Sequence, residues 1–294
     1  MKQKLLIVDG MALLFRSFYA TAIHGRYMIN KHGIPTNGVH GLIRHLLAAI
    51  KHFSPHYVVC CWDLGAKTYR TELFDQYKAN RSEPPQELIP QFDLAKQALN
   101  DIQILNIGVP MYEADDCIGT IAEKVKDELE VMILTGDRDL LQLLDKHVHV
   151  AILKKGIGNY SIYSKERFIE EYQIQPKQLI DVKALMGDSS DNYPGVKGIG
   201  EKTAFKLIVQ YQSIEQLLKC IDELTNAQKR KIKEDIEMLK LSRKLAEIDV
   251  NVPLEFEISE AKLNLTIEKI EEMKNKYDIG LSTSTFIFLD EAVS

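Results

Sequence analysis

The chain has 294 residues, 45% hydrophobic and 27% charged, with a formal net charge of −5, which suffices for one sizeable core plus a smaller unit without disulfide staples. No apolar run approaches the roughly 20 residues of a membrane span. Met1-Lys2-Gln3-Lys4 runs directly into a strand-like segment rather than a signal-peptide core, so a cytoplasmic protein is expected. The acidic balance speaks against a simple electrostatic phosphate binder. The charges are segregated, however: Lys67, Arg70, Lys78 and Arg81, then Lys197, Lys202 and Lys206, stand apart from the acidic motifs.

In chain order, three apolar runs each end in an aspartate: 5–8 before Asp9, 57–62 before Asp63, and 131–136 before Asp137. Their near-continuous apolar character predicts strands buried on both faces. Segments of helical period at 41–53, 86–100 and 115–128 lie between them. The fold class expected is α/β with a mainly parallel twisted central sheet, in which ligands bind beyond the carboxyl ends of the strands. Further strands are expected at 102–107, leading to Glu113, Asp115 and Asp116, and at 148–153. Beyond about residue 180 the pattern is helical, with a charged periodic stretch at 227–247 closed by Val252-Pro253. The expected domains are a core at 1–180, a helical region at 181–255, and a tail at 256–294 that packs on the core or is partly mobile. Cys60, Cys61, Cys117 and Cys220 show no CxxC spacing and read as buried reduced thiols.

Nine acids fall in motif-like positions: Asp9, Asp63, Glu113, Asp115, Asp116, Asp137, Asp139, Asp188 and Asp191. Singly, each has a structural reading about as good as a functional one. Asp115 and Asp116 suit a helix start, Thr135-Gly136-Asp137 suits a turn, and Asp188 and Asp191 suit a capping arrangement. Jointly, carboxylates converging on strand ends raise one another's pKa and require cations. Asp137 and Asp139 can point the same way at a strand end, and Asp188 and Asp191 would share a helical face. An all-oxygen set suits Mg²⁺, with Mn²⁺ as substitute, and two such ions can activate water and stabilise a leaving oxygen.

Arg16, two helical turns past Asp9, has the reach to return toward a phosphate at the acids. Lys78 and Arg81 precede Pro84-Pro85, where a solvated polar loop is, from spacing alone, a somewhat better reading than a functional one. Gly195, Val196, Lys197, Gly198, Ile199 and Gly200, followed by Lys202 and Thr203, form a helix-hairpin-helix-like turn able to meet a duplex backbone.

These residues resemble the 5′ nuclease or flap endonuclease family, in its bacterial form similar to the N-terminal domain of DNA polymerase I. The resemblance is carried by Val8-Asp9-Gly10, Phe15-Arg16-Ser17-Phe18, Trp62-Asp63, Tyr77-Lys78-Ala79-Asn80-Arg81, Tyr112-Glu113-Ala114-Asp115-Asp116, Thr135-Gly136-Asp137-Arg138-Asp139, Gly187-Asp188-Ser189-Ser190-Asp191-Asn192 and Arg243-Lys244-Leu245-Ala246. It implies a core like that of PIN nucleases. Asp9, Asp63, Glu113, Asp115 and Asp116 would serve one metal cluster, and Asp137, Asp139, Asp188 and Asp191 a second. Arg16, Lys78 and Arg81 would contact the scissile phosphate, Tyr77 would stack on a base, and a helical arch near 78–100 would admit a single-stranded 5′ end. The glycine turn would bind duplex DNA and can hold a K⁺ through backbone carbonyls.

The activity implied is 5′-3′ exonuclease and 5′-flap cleavage of DNA, at flaps, nicks and recessed or RNA-primed ends, in primer removal, Okazaki fragment processing and repair. A monomer located in the cytoplasm and associated with the nucleoid through DNA is expected, without a polymerase domain or a membrane partner. The alternatives are a non-catalytic DNA-junction binding protein and a PIN-type ribonuclease. A haloacid dehalogenase-type phosphatase needs Asp-x-Asp after the first strand, which Asp9-Gly10-Met11 does not provide.

Overall fold

A computed structural model describes residues 2–22, 25 and 27–291. Six strands form one sheet: β1 (Lys4–Asp9), β2 (Tyr57–Cys61), β3 (Leu105–Ile107), β4 (Glu130–Thr135), β5 (Val148–Leu153) and β6 (Tyr160–Tyr163), in the order β3-β2-β1-β4-β5-β6. The first five pair in parallel and β6 closes the edge antiparallel to β5. The strand order reverses at β1, beside β4, the place where such sheets open a crevice beyond their carboxyl ends.

Alternate residues of each strand enter opposite cores, which is why the strands read as continuous apolar runs. Leu5, Ile7, Val59, Cys61, Val131 and Ile133 pack on one face; Leu6, Val8, Val58, Cys60 and Leu134 pack on the other. The second face is covered by α1 (Gly10–Thr21), α2 (Asn37–Phe53) and α4 (Ile89–Asp101). The first is covered by α5 (Ala114–Val125) and by a helical unit made of α7 (Leu179–Met186), α8 (Glu201–Tyr211) and α9 (Ile214–Lys219). A short α3 (Tyr69–Leu73) follows β2, and α6 (Lys165–Tyr172) follows β6.

Several sequence expectations shift. The strand expected at 102–107 is only Leu105–Ile107, because Ile102 caps α4 and Gln103 turns the chain at a φ of 58°. β6 has no clear sequence signal, being four residues long with only one buried. The charged stretch at 227–247 is two helices, α10 (Asn226–Glu234) and α11 (Ile236–Ala246), divided at Asp235, whose ψ of 22° leaves the helical path. Cys60, Cys61 and Cys117 are buried and unpaired, whereas Cys220 is only half-buried.

The described part of the tail, as far as Phe286, packs into the fold. In α12 (Ile267–Tyr277) and the segment after it, Ile270, Met273, Ile279, Leu281 and Phe286 are buried in the second core. Leu263 N donates to the His56 carbonyl at 2.9 Å. Among the described residues no helix is long and apolar enough to cross a membrane.

Candidate active site

The acids are placed by strand ends and helix starts. Asp9 ends β1 and caps α1: its Oδ1 accepts from Ala12 N at 2.9 Å and its Oδ2 from Thr135 Oγ1 at 2.7 Å. Asp63 follows β2 and accepts Ala114 N at 2.6 Å, which draws the N-terminus of α5 to the same edge. That helix start carries Glu113, Asp115 and Asp116, and its N–H groups and positive dipole end favour carboxylates.

The electrostatics link these groups. Burial, with repulsion from Asp63 and Asp137, pushes Asp9 up to about 6 against the pull of the Ala12 and Thr135 hydrogen bonds. Burial, then Asp137 and Asp9, holds Asp115 well above the ordinary carboxylate range. Asp63 is raised by burial and by Glu113. Asp139 is pushed up to about 6 by burial and Asp137. Asp188 is the exception: burial opposes it, but hydrogen bonds from Lys183 and Ser190 bring it down to about 2.

The segment 76–81 fastens the first acids to the loop 188–192. Tyr77 OH donates toward Glu113 Oε2 and Asp191 Oδ2, each at 3.1 Å. Lys78 Nζ lies 2.7 Å from Glu113 Oε1, while its backbone N–H donates to the Asp191 carbonyl at 2.9 Å. Arg81 Nη2 lies 2.6 Å from Asp191 Oδ1. Lys78 holds a φ of 55°, a left-handed conformation unusual for a lysine and stabilised by these contacts.

Five expectations need correction. Tyr77 is 4% exposed, so it bridges carboxylates and presents no face to a base. Residues 78–100 do not form one helical arch: α4 begins at Ile89 and buries Gln91, Leu94, Ala95, Ala98 and Leu99, while 75–88 is turn-rich. Asp188 and Asp191 share no helix; they sit in a tight loop where Asp188 Oδ1 accepts from the N–H groups of Ser190 and Asp191 at 2.7 and 3.2 Å.

Arg16 does not reach the acids. It donates to the Lys154 carbonyl and lines a concavity of about 630 Å³ with His40, Arg44, His45 and Lys155. Asp116, fully buried, has both oxygens committed: Oδ2 to Arg70 Nη1 and Glu113 N, Oδ1 to Arg70 Nη2 and Asp249 N. It braces the site from behind.

Two basic residues have partners that the sequence does not reveal. Arg70, 2% exposed, also donates to the carbonyls of Leu245 and Glu247, tying α11 to the acid edge. Lys183 lies 2.6 Å from Asp139 Oδ1 and also pairs with Asp188. Its signal was a lysine within the otherwise mostly apolar helix α7, the kind of charge that persists in a core only when paired.

At the glycine turn, Gly195 and Gly198 hold φ values of 61° and 80°. A Cβ on Gly195 would stand 2.3 Å from Gly187 N, so only glycine fits. Val196 and Ile199 are buried and anchor the turn, whereas Lys197, Gly198, Gly200 and Lys202 are exposed and Thr203 is half-buried. Gly200 caps α8.

Among the described residues no three His, Cys, Asp or Glu side chains already form a cage for an ion. The donors nonetheless fit a hard divalent cation: all are oxygens, and beside the effect of burial Asp137 raises the proton affinity of Asp9 and, together with Asp9, that of Asp115. Ammonium and guanidinium groups of Lys78, Arg81 and Lys183 stand against their neighbours Glu113, Asp191, Asp139 and Asp188.

A parallel sheet with carboxylates at its carboxyl edge, joined to a helical unit bearing a glycine turn, is the architecture of an acid-lined α/β nuclease. The chain belongs to the 5′-3′ exonuclease family: residues 4–173 match its N-terminal resolvase-like domain and residues 174–269 its C-terminal SAM fold. It is 58% identical over 276 residues to a 5′-3′ exonuclease of Bacillus subtilis strain 168, covering 94% of this chain and 93% of that one. It is 40% identical to DNA polymerase I of the same organism, over 88% of this chain and 29% of that protein. The bacteriophage T5 flap endonuclease, solved with DNA and metal ions, shares the fold at a TM-score of 0.67 and 20% identity, covering 94% of this chain and 98% of that one.

Proposed function

We propose that the chain acts in the cytoplasm as a Mg²⁺-dependent 5′-3′ exonuclease and 5′-flap endonuclease on DNA, serving primer removal and repair. The observation that carries the reading is the array of carboxylates at the ends of β1, β2 and β4 and at the start of α5, held against residues 76–81. Asp9, Asp63, Glu113 and Asp115 would hold one ion; Asp137, Asp139, Asp188 and Asp191 would hold the other, with Asp116 positioning Glu113 through its amide. Bound divalent ions would lower the pKa of an attacking water and neutralise charge on the leaving oxygen.

The chain's own groups do the rest. Lys78 and Arg81, held now on Glu113 and Asp191, would turn to a phosphate bound at the acids. Arg16 would need a larger rearrangement to join them. The exposed N–H groups and lysines of residues 197–203 suit the duplex backbone, giving sequence-independent, salt-sensitive binding. A K⁺ at the turn would compete with Lys231, whose ammonium donates to the Gly198 carbonyl at 2.8 Å.

The test is to incubate 5′-flap DNA, nicked duplex and single-stranded RNA with the protein, with Mg²⁺ or with a chelator. Flap and nick cleavage that requires Mg²⁺ is expected. Cleavage unaffected by chelation, or cleavage of the RNA alone, would overturn the proposal.

A further inference from the structure

Lys183 occupies a position that the proposed reaction does not need and that the acids make costly to leave. It rises from α7 of the helical unit, yet its ammonium lies between Asp139, at the edge of the nuclease core, and Asp188, in the loop after α7. Its side chain is 15% exposed, and those of Asp139 and Asp188 are 19% and 10% exposed. Asp188 Oδ1 is taken by Ser190 and Asp191, so Lys183 sits on Oδ2, the oxygen left free for a cation. Among the described residues no other ion pair reaches Asp139 or Asp188.

We propose that Lys183 is a tethered competitor for the divalent ion of the later acid pair: it holds the ion's place between Asp139 and Asp188, and loading that pair requires its displacement. The inference rests on reading Asp139 and Asp188 as ion ligands. A cation fixed to the same fold competes at the effective concentration of an intramolecular partner, so free ions must reach a correspondingly higher level to replace it. The lysine's flexible four-carbon stem and residual exposure permit it to swing aside without unfolding α7. The consequence is two unequal ion equilibria, a tighter one at Asp9, Asp63 and Asp115 and a weaker one at Asp139 and Asp188. The weaker one makes full assembly of the site depend on divalent ion concentration.

The experiment titrates Mn²⁺ alone into the full chain by calorimetry, without DNA. Lys183→Met and Lys183→Gln, which keep the length and drop the charge, are expected to tighten the weaker equilibrium by about tenfold, the scale of one well-placed ion pair. Lys183→Arg should keep it weak. Mn²⁺ should also raise the melting temperature of the Met and Gln variants by more than it raises that of the wild type. A purely structural role would lower the melting temperature equally with and without the ion. Asp139→Asn serves as the control and should abolish the weaker equilibrium. If it does while Lys183→Met and Lys183→Gln bind Mn²⁺ no more tightly than wild type, the competitor role is overturned and the ligand assignment stands. If Asp139→Asn leaves both equilibria intact, the ligand assignment fails and the proposal with it.

Discussion

Arg70 grips Asp116 with two parallel hydrogen bonds, Nη1 to Oδ2 at 2.7 Å and Nη2 to Oδ1 at 2.8 Å, with both side chains sealed from solvent. The same guanidinium reaches the carbonyls of Leu245 and Glu247, so one buried charge joins α5, α3 and the end of α11. Removing either partner leaves an uncompensated buried charge. Arg70→Met or Asp116→Ala is therefore expected to cost about 3–5 kcal/mol. Removing both charges as Arg70→Met with Asp116→Leu should cost less than the sum of the single changes. Urea unfolding midpoints check this, and additive losses would show that the pair is not coupled.

Tyr77 offers a sharp contrast between two roles. As a bridge between Glu113 and Asp191, its hydroxyl is the working group, so Tyr77→Phe should slow flap cleavage severalfold and destabilise the fold by about 1 kcal/mol. As a platform for a base, the same change would leave cleavage intact. Single-turnover rates on a 5′-flap substrate distinguish the two.

His45 is buried on α2, its Nδ1 has no hydrogen-bond partner, and burial, with Arg16 and Arg44 adding repulsion, depresses it to about 4. The neutral ring is the form the fold accepts. Its contribution is fully present above the unfolded value of 6.5 and is lost as pH falls toward about 4. That is worth about 3 kcal/mol over the window. Asp9 and Asp139, whose values are raised, act in the opposite direction over a similar range. The measurement is therefore the difference in unfolding free energy between wild type and His45→Leu from pH 7 to pH 4. It should shift in favour of the variant as pH falls; a constant difference would contradict the assignment.

Lys197 and Lys202 are exposed beside the glycine turn. Replacing either by Ala should weaken binding to nicked duplex alike for different sequences and lower the log–log salt slope by about one. Fluorescence anisotropy over a salt series measures it. An unchanged slope would remove the turn from the DNA interface.

The strand-end aspartates were legible because chemistry and local structure coincide there. A buried parallel strand writes itself as an apolar run with the acid directly after it, whether that acid caps the next helix, as Asp9 does, or accepts from the start of α5, as Asp63 does, so both could be placed at the carboxyl edge from order alone. The pair Asp188 and Asp191 was less legible, since helical spacing suggested a shared face while Gly187, at a φ of 73°, ends α7 and turns them into a loop. The arch was misjudged for a related reason. The helical period of residues 86–100 comes from burial of α4 against the core, and periodicity does not say what a face is buried against.

By itself the sequence determined the α/β class, the acid set, the glycine turn and the family resemblance, all of which depend on residue type and short spacing. Only the tertiary structure decided which charges meet. Arg70 and Asp116 are 46 residues apart, Lys183 and Asp139 are 44 apart, and Tyr77 and Asp191 are 114 apart. Long-range pairing is a property of packing, and it sorted the nine acids that looked alike in the sequence: Asp116 became a brace, Asp139 and Asp188 became a pair held by an internal ammonium, and Asp9 was fixed between a helix start and a neighbouring strand.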